Sequence, residues 1–492
     1  MSWKIKSIKL YMNLNIKTLF LPIEIIPREL DSKLLIAHKA LEKGYSVILG
    51  TKGGVYKSAR SYGSGIYFYK DHSPLSSLLL QELQVAGLKI VAMDEEGLSW
   101  ASPEVYISTR IDDKTIKISD AIFSWGQKQY DLLTNTSPGY KNKIHLIGNP
   151  RFDVLHSKYR QFLKDQSKKQ LSYSDDGYVL INSMFTPGNW NPLLYGTPSY
   201  VEHMRDRGFI HNDEDFNLFT KVSENSAQLF EAYVSLLKSL SKLFPNTKFV
   251  IRPHPDENHD AWRNIFDSTN NVVVEYSGNA TYWILGAKVL IYSGCTTAIE
   301  AWAMNKPTLR YHPNPETKFD PALPNRFGKT VQTEKRLVEE LKALLSTTEE
   351  NRFDLDSNFV ESYIKNVFSA DAAENIVRVL ESFYVEDEHL NKKSMFSLAL
   401  LRKKIHLLLY FDIRKKWGSR LLGKLKRTLQ QKDVVKESKI TQAKFQKFPG
   451  LTREDIEIRL TSLDKIMGNQ KEKKRKIVKI APNTFKIENN YT

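Results

Sequence analysis

Arg252-Pro253-His254-Pro255 follows the apolar run KFVIR, Lys248 to Arg252. An imidazole at the C-terminal end of a strand can donate a hydrogen bond or a proton to a phosphate oxygen of a departing nucleotide. The flanking prolines fix the backbone that aims it. A second run, VLIYS, leads into Ser293-Gly294-Cys295-Thr296-Thr297. Small hydroxylated residues that open a helix leave N–H groups and hydroxyls for an anion. Glu300 lies one turn beyond, where it can reach ribose hydroxyls while Thr296 and Thr297 hold the phosphate. The competing explanations are an idle loop histidine and ordinary helix capping. A third run, LKIVAM, ends in Asp94-Glu95-Glu96-Gly97. Crowded carboxylates at a buried strand end repel one another, which raises at least one pKa. Such a group can deprotonate an acceptor hydroxyl or act as a nucleophile. A solvated acidic turn is the alternative.

Further candidates are Arg28, Glu29 and Asp31 after the first strand, Asn149 in Gly148-Asn149-Pro150-Arg151, and Asn182 and Asn189 early in the second half. Loops at strand ends of the first half are where an acceptor would sit; each of these residues is equally well explained as part of a turn. No diphosphate motif and no metal-ligand spacing is present. His259, near Asp256 and Glu257, lacks a partner set for zinc.

The elements that must position these residues alternate. Strand-like runs fall at Thr18 to Glu24, Tyr45 to Leu49, Leu88 to Met93, Ala121 to Trp125 and Ile144 to Ile147. A helical stripe covers Asp31 to Lys43, closed by Gly44. A polar connector, 156–176, precedes a second series with strands at Tyr178 to Ile181, Lys248 to Arg252, Val272 to Glu275, Val289 to Tyr292 and Pro307 to Tyr311. Helices are expected at Phe216 to Leu243, Thr296 to Met304 and Lys335 to Leu345. Strand–helix repetition predicts parallel sheets covered on both faces. The expected organisation is an α/β protein with a first domain at 1–155 and a second at 177–384. A basic helical tail at 385–492, partly disordered at its end, follows. Two doubly wound halves put the ligand site in the cleft between them.

Length and composition agree with this division. The chain has 492 residues, 41% apolar and 11% aromatic, enough for two or three cores. The single cysteine, Cys295, excludes an internal disulfide, and with no secretory leader the chain is expected in a reducing cytosol. No run of about 18 apolar residues is present to span a bilayer. The net charge is +16, yet 402–428 alone holds ten Lys and Arg against one acid, Asp412. Charge so concentrated argues against a general nucleic-acid binder. Between Leu398 and Thr428 leucines and aromatics interleave with those cations. That pattern suits an anionic bilayer surface, at about 1 kcal/mol per cation. Packing of the same helix on the core is the alternative, and Lys471 to Lys479 is expected to be disordered.

Taken together, Glu95-Glu96-Gly97, His254-Pro255 and Ser293 to Thr297 resemble bacterial sialyltransferases and related CMP-sugar transferases. Over about 16–380 the chain is similar to bacterial surface carbohydrate biosynthesis proteins. Arg28-Glu29-Leu30-Asp31, Asp94-Glu95-Glu96-Gly97, Gly148 to Asp153 and Arg252 to Pro255 recur there in order. That group resembles CDP-glycerol glycerophosphotransferases and capsule Kdo transferases. The resemblance implies a GT-B fold and a glycosyltransferase acting without a metal or other cofactor on a nucleotide-sugar donor, best a CMP-linked ulosonic acid. It implies a glycan or lipid-linked acceptor, and the basic stretch at 398–428 would place the chain at the inner face of the bacterial membrane. Glu96, then Glu95 and Asp94, would supply the base, with His254 stabilising the leaving group. Arg252, Pro255, Ser293, Gly294, Thr296, Thr297, Glu300 and Asn182 would hold the nucleotide, and Arg28, Glu29, Asp31 and Asn149 the acceptor. The extra acid Asp94 leaves open which carboxylate is the base. A CDP-glycerol or CDP-ribitol phosphotransferase and a silent assembly scaffold are the rival functions. A sugar-nucleotide epimerase shares the fold but calls for a more extended diphosphate site.

Overall fold

The computed structural model describes residues 17–98, 100, 102–170, 177–315, 320, 323–347, 355–387, 447–468 and 474–490. The expected membrane-surface stretch, 398–428, lies outside them. No helix among the described residues is long and apolar enough to cross a membrane.

Two sheets form the frame. The first holds β1 (Thr18–Ile23), β2 (Ser46–Thr51), β3 (Ile66–Tyr69), β4 (Lys89–Met93), β5 (Ala121–Ser124) and β6 (Ile144–Leu146), all parallel. The second holds β7 (Tyr178–Asn182), β8 (Phe249–Arg252), β9 (Val272–Val274), β10 (Ala287–Tyr292), β11 (Thr308–Tyr311) and β12 (Lys329–Val331) in the order β12-β11-β10-β7-β8-β9. Strand order reverses between β7 and β10, so a crevice opens there at the strands' C-terminal ends. Asn182 lies at that point, level with Arg252 and Tyr292 on the neighbouring strands.

Alternation along each strand sorts the core. Leu19, Leu21, Val47, Leu49, Val91 and Met93 face one cluster, and Phe20, Ile48 and Ile90 face another that packs on Val55, Leu80 and Leu83. In the second sheet Leu180, Val250 and Leu290 join the first of these clusters, while Val179, Ile251 and Ile291 face outward onto Tyr233, Leu237 and Trp262. One apolar core therefore runs through both domains. The helices Arg160–Gln170, Ala280–Gly286, Ala372–Asp387 and Arg453–Ile466 contribute to it. Side chains also tie Ala372–Asp387 back to the first domain: Lys17 meets Glu381 at 3.0 Å and Lys39 meets Glu374 at 3.1 Å.

The end of the chain departs from expectation. Arg475–Ala481 (β13) and Thr484–Asn489 (β14) form a hairpin that extends the first sheet in the order β13-β14-β2-β1-β3-β4-β5-β6. Lys471 to Lys479 is thus not a disordered run throughout: from Arg475 it is strand. Ile477, Phe485 and Ile487 are buried, and that apolar face outweighs the lysine density. Gly50 is needed at the junction, since a Cβ there would meet the Asn483 carbonyl oxygen at 2.2 Å.

Candidate functional site

β4 delivers three carboxylates to three environments. Asp94 is fully buried: Tyr106 Oη donates to it at 3.0 Å, Arg110 Nε at 3.1 Å, and Arg110 Nη2 closely to its other oxygen. Its Oδ1 also accepts the Glu96 N–H at 3.1 Å. Asp94 is therefore engaged within the first domain and shapes the turn that presents Glu96. Glu95 points into the first domain, where Lys33 Nζ lies 2.8 Å away and both side chains are almost wholly buried. Burial alone would raise its pKa, but Lys33, Arg151 and Arg28 outweigh it and hold the carboxyl below the usual range. Glu96 is the open one, 56% exposed, with Arg110 Nη1 at 3.2 Å and Arg28 Nη1 at 3.6 Å. Neither arginine is adjacent to the acids in sequence, and only Arg28 was legible as a candidate.

Most of the residues expected to grip an acceptor are engaged in contacts within the protein. Arg28, Glu29 and Asp31 lie in the opening turns of the helix Ile26–Glu42, not in a loop, because Pro27 starts that helix five residues earlier than expected. Glu29 accepts the N–H groups of Glu24 at 3.0 Å and Ile25 at 3.3 Å. Its burial, reinforced by the charge of Glu95, raises its pKa. Asp31 accepts from Arg459 Nε at 2.9 Å and from Tyr282 Oη at 2.5 Å, joining both domains to the C-terminal helix. Asn149 caps the helix Pro150–Leu155 through the Arg151 N–H, and its Nδ2 contacts Met93 Sδ at 3.3 Å.

On the second domain, His254 is one-third exposed. Its Nδ1 accepts the Asp256 N–H at 3.3 Å and lies 3.4 Å from Thr186 Oγ1. That contact places the proton of the neutral ring on Nε2. Pro255 continues the same loop, which is anchored by buried Glu257, an acceptor for Ser183, Phe185, Asn189 and Trp262. Arg252 is spent within its own domain: its two Nη atoms donate to the carbonyls of Ser277 and Gly278 at 2.7 Å each. Burial depresses its pKa to about 10 despite Tyr276 and Glu275 nearby. Both of its Nη atoms are thus engaged in bracing the Ser277–Gly278 turn.

Asn182 is 3% exposed, and neither its Oδ1 nor its Nδ2 has a partner among the described residues. A buried amide left unsatisfied costs about 1–3 kcal/mol, which a ligand at the β7/β10 crevice would relieve. Ser293 and Gly294 follow β10 beside it, with Gly294 at φ 65°. Thr296 caps the short helix Thr297–Ala303 with no side-chain cap hydrogen bond. Glu300, on that helix, is paired with Arg151 Nη2 of the first domain at 2.6 Å.

The two lobes share a crevice. Arg151 Nη1 also reaches the Glu95 carbonyl oxygen at 3.4 Å, so one guanidinium touches the acidic segment and the Ser/Thr-loop helix. A cavity of about 200 Å³ opens between Ile26, Leu30 and Asp31 of the first domain, Asn279 and Tyr282 of the second, and Pro449 and Arg459 of the C-terminal segment. Lys447 of that segment lies 4.0 Å from Asp256, in the loop that carries His254. A larger hollow, about 430 Å³, lies near Lys238 and Asn271 at the opposite end of β8, away from all of these groups.

Two facing doubly wound domains with a crossing C-terminal helix make this a GT-B architecture. No protein-family model and no curated protein matches the chain. Among solved structures it is similar to the UDP-GlcNAc 2-epimerase of Neisseria meningitidis bound to UDP-GlcNAc. That match has 15% identity and a TM-score of 0.44, covering 75% of this chain and 100% of that one. A similar likeness holds to the Methanocaldococcus jannaschii UDP-GlcNAc 2-epimerase, at 14% identity and TM-score 0.43, covering 74% and 99%. For a variant of the wall teichoic acid polymerase TagF the values are 13%, 0.47, 76% and 90%. The strand order above, not these matches, carries the architecture.

Proposed function

We propose that the chain is a glycosyltransferase that moves a sugar, best a CMP-activated ulosonic acid, onto a surface polysaccharide or lipid-linked acceptor. The observation that supports it is the Arg151 bridge, whose guanidinium bonds to the Glu95 carbonyl of the acidic segment and to Glu300 on the helix that follows the Ser293 to Thr297 loop. The nucleotide lies over the β7/β10 crevice, where Asn182, Ser293 and Thr296 address ribose and phosphate. Glu96 removes the proton of the acceptor hydroxyl, whose oxygen attacks the anomeric carbon. The bond from that carbon to the phosphate oxygen breaks, and CMP departs with the electron pair. The Nε2 proton of His254 stabilises the oxygen on which the charge develops.

A CDP-polyol phosphotransferase is the second reading. Arg28 and Arg110, both within 4 Å of Glu96, suit an acceptor that itself ends in phosphate. Release of CMP from a panel of CMP-sugars and CDP-polyols separates the two. Turnover of CDP-glycerol with CMP-ulosonates inert replaces the first reading by the second, and a His254→Ala variant with undiminished turnover removes both.

A further inference from the structure

Arg151 belongs to the first domain by sequence, on the opening turn of the helix Pro150–Leu155, yet its shortest side-chain bond is to the second. Nη2 lies 2.6 Å from Glu300 Oε1, and the two side chains are 15% and 9% exposed. Nη1 sits 3.4 Å from the Glu95 carbonyl oxygen, and the guanidinium carbon is 5.8 Å from the Trp125 ring centroid. A guanidinium has five N–H bonds. These contacts occupy two and leave the others without a protein acceptor among the described residues. Glu300 is one helical turn beyond Thr296, whose carbonyl accepts the Glu300 N–H at 3.4 Å. A planar cation with donors to spare, steered by a carboxylate that stands one helical turn beyond a loop of hydroxyls, is suited to an oxyanion and binds it as a fork, not as a point charge.

We propose that Arg151 is a donor-binding residue supplied by the opposite lobe: it grips the nucleotide phosphate at the Ser293 to Thr297 loop, and Glu300 orients it. This rests on the nucleotide reading of that loop. The consequence is that the phosphate engages both domains at once. Because the same guanidinium touches the Glu95 carbonyl, the donor's phosphate also fixes the segment that presents Glu96. A role as a plain inter-domain strut is the competing assignment, and phosphate dependence separates the two. A strut affects nucleoside and nucleotide alike, whereas a phosphate ligand affects only the nucleotide.

The test is calorimetric titration of the full-length wild type, R151M and R151K with cytidine and CMP, and with uridine and UMP in parallel. R151M is expected to weaken CMP roughly 10- to 100-fold, the range of a lost hydrogen bond to a charged group. Cytidine affinity should stay within about twofold, and R151K should recover part of the loss because it restores charge but not the fork. Equal loss for cytidine and CMP, or no loss for either, overturns the proposal. If R151M does not fold, the same ratio measured on R151K decides. Wild type that binds UMP in place of CMP ends the cytidine assignment, and Arg151 is then judged by the uridine-to-UMP ratio. Wild type that binds none of the four overturns both the site reading and this inference.

Discussion

Replacing Asp31 by Asn tests whether one carboxylate holds three segments together. Its Oδ1 accepts from Arg459 Nε at 2.9 Å, and its Oδ2 from Tyr282 Oη at 2.5 Å and Asn279 Nδ2 at 3.5 Å. The Arg459 and Asp31 side chains are only 5% and 7% exposed, so water cannot replace a lost partner. Removing one member of a buried pair costs about 3–5 kcal/mol, chiefly because the other charge stays buried. Here the more exposed Asp455 lies 3.7 Å from Arg459 and compensates in part. The lower end, about 3 kcal/mol, is therefore expected. Urea unfolding followed by tryptophan emission of wild type, D31N, R459M and the double variant measures the coupling, expected at about 2 kcal/mol. Single effects that add to within about 0.5 kcal/mol, or a D31N protein as stable as wild type, would refute the strut and return Asp31 to the acceptor candidates.

Glu96→Gln should lower kcat by about 10²- to 10⁴-fold without moving the unfolding midpoint. Asp94→Asn should instead lower stability by about 3 kcal/mol, since Arg110 loses its buried partner; donor turnover and urea melts on both variants decide. Burial raises the Asp153 pKa to about 7, although the N–H groups of Ala373 and Ala372 bond to its carboxylate. A carboxyl raised in the folded state contributes stability that is complete below its unfolded value, near 3.8, and is lost as pH rises through about 7. D153N should therefore show a flatter stability profile than wild type between those limits, and parallel profiles would refute the shift. For the stretch 402–427, replacing its basic residues by Gln in the full-length chain should abolish flotation with anionic liposomes, and unchanged flotation removes the membrane reading. Truncation near Tyr384 is unsuitable for that test because it also removes the hairpin paired to β2.

Much of the frame was legible in the chain because it is governed by local pattern. Runs such as LKIVAM and KFVIR are apolar on both faces, which only a parallel strand covered by helices tolerates, and their ends carried the acids and His254. β3 (Ile66–Tyr69) carries a weak local signal, being only four residues behind Gly63-Ser64-Gly65. The C-terminal hairpin was hidden by its lysines, although the Pro482-Asn483 turn between two alternating runs was a usable signal. Sequence adjacency alone could not assign roles within the site. Asp94, Glu95 and Glu96 are neighbours of one chemical type, and they differ because Asp94 is buried against Arg110, Glu95 is buried against Lys33, and Glu96 stays open to solvent while sharing Arg110. The contacts that join the lobes, Arg151 to Glu300 and Asp31 to Arg459, span 149 and 428 positions. The sequence by itself determined which residues end the strands. Which of them face the crevice was decided only in the tertiary structure, because burial and the nearest opposite charge come from elements distant along the chain.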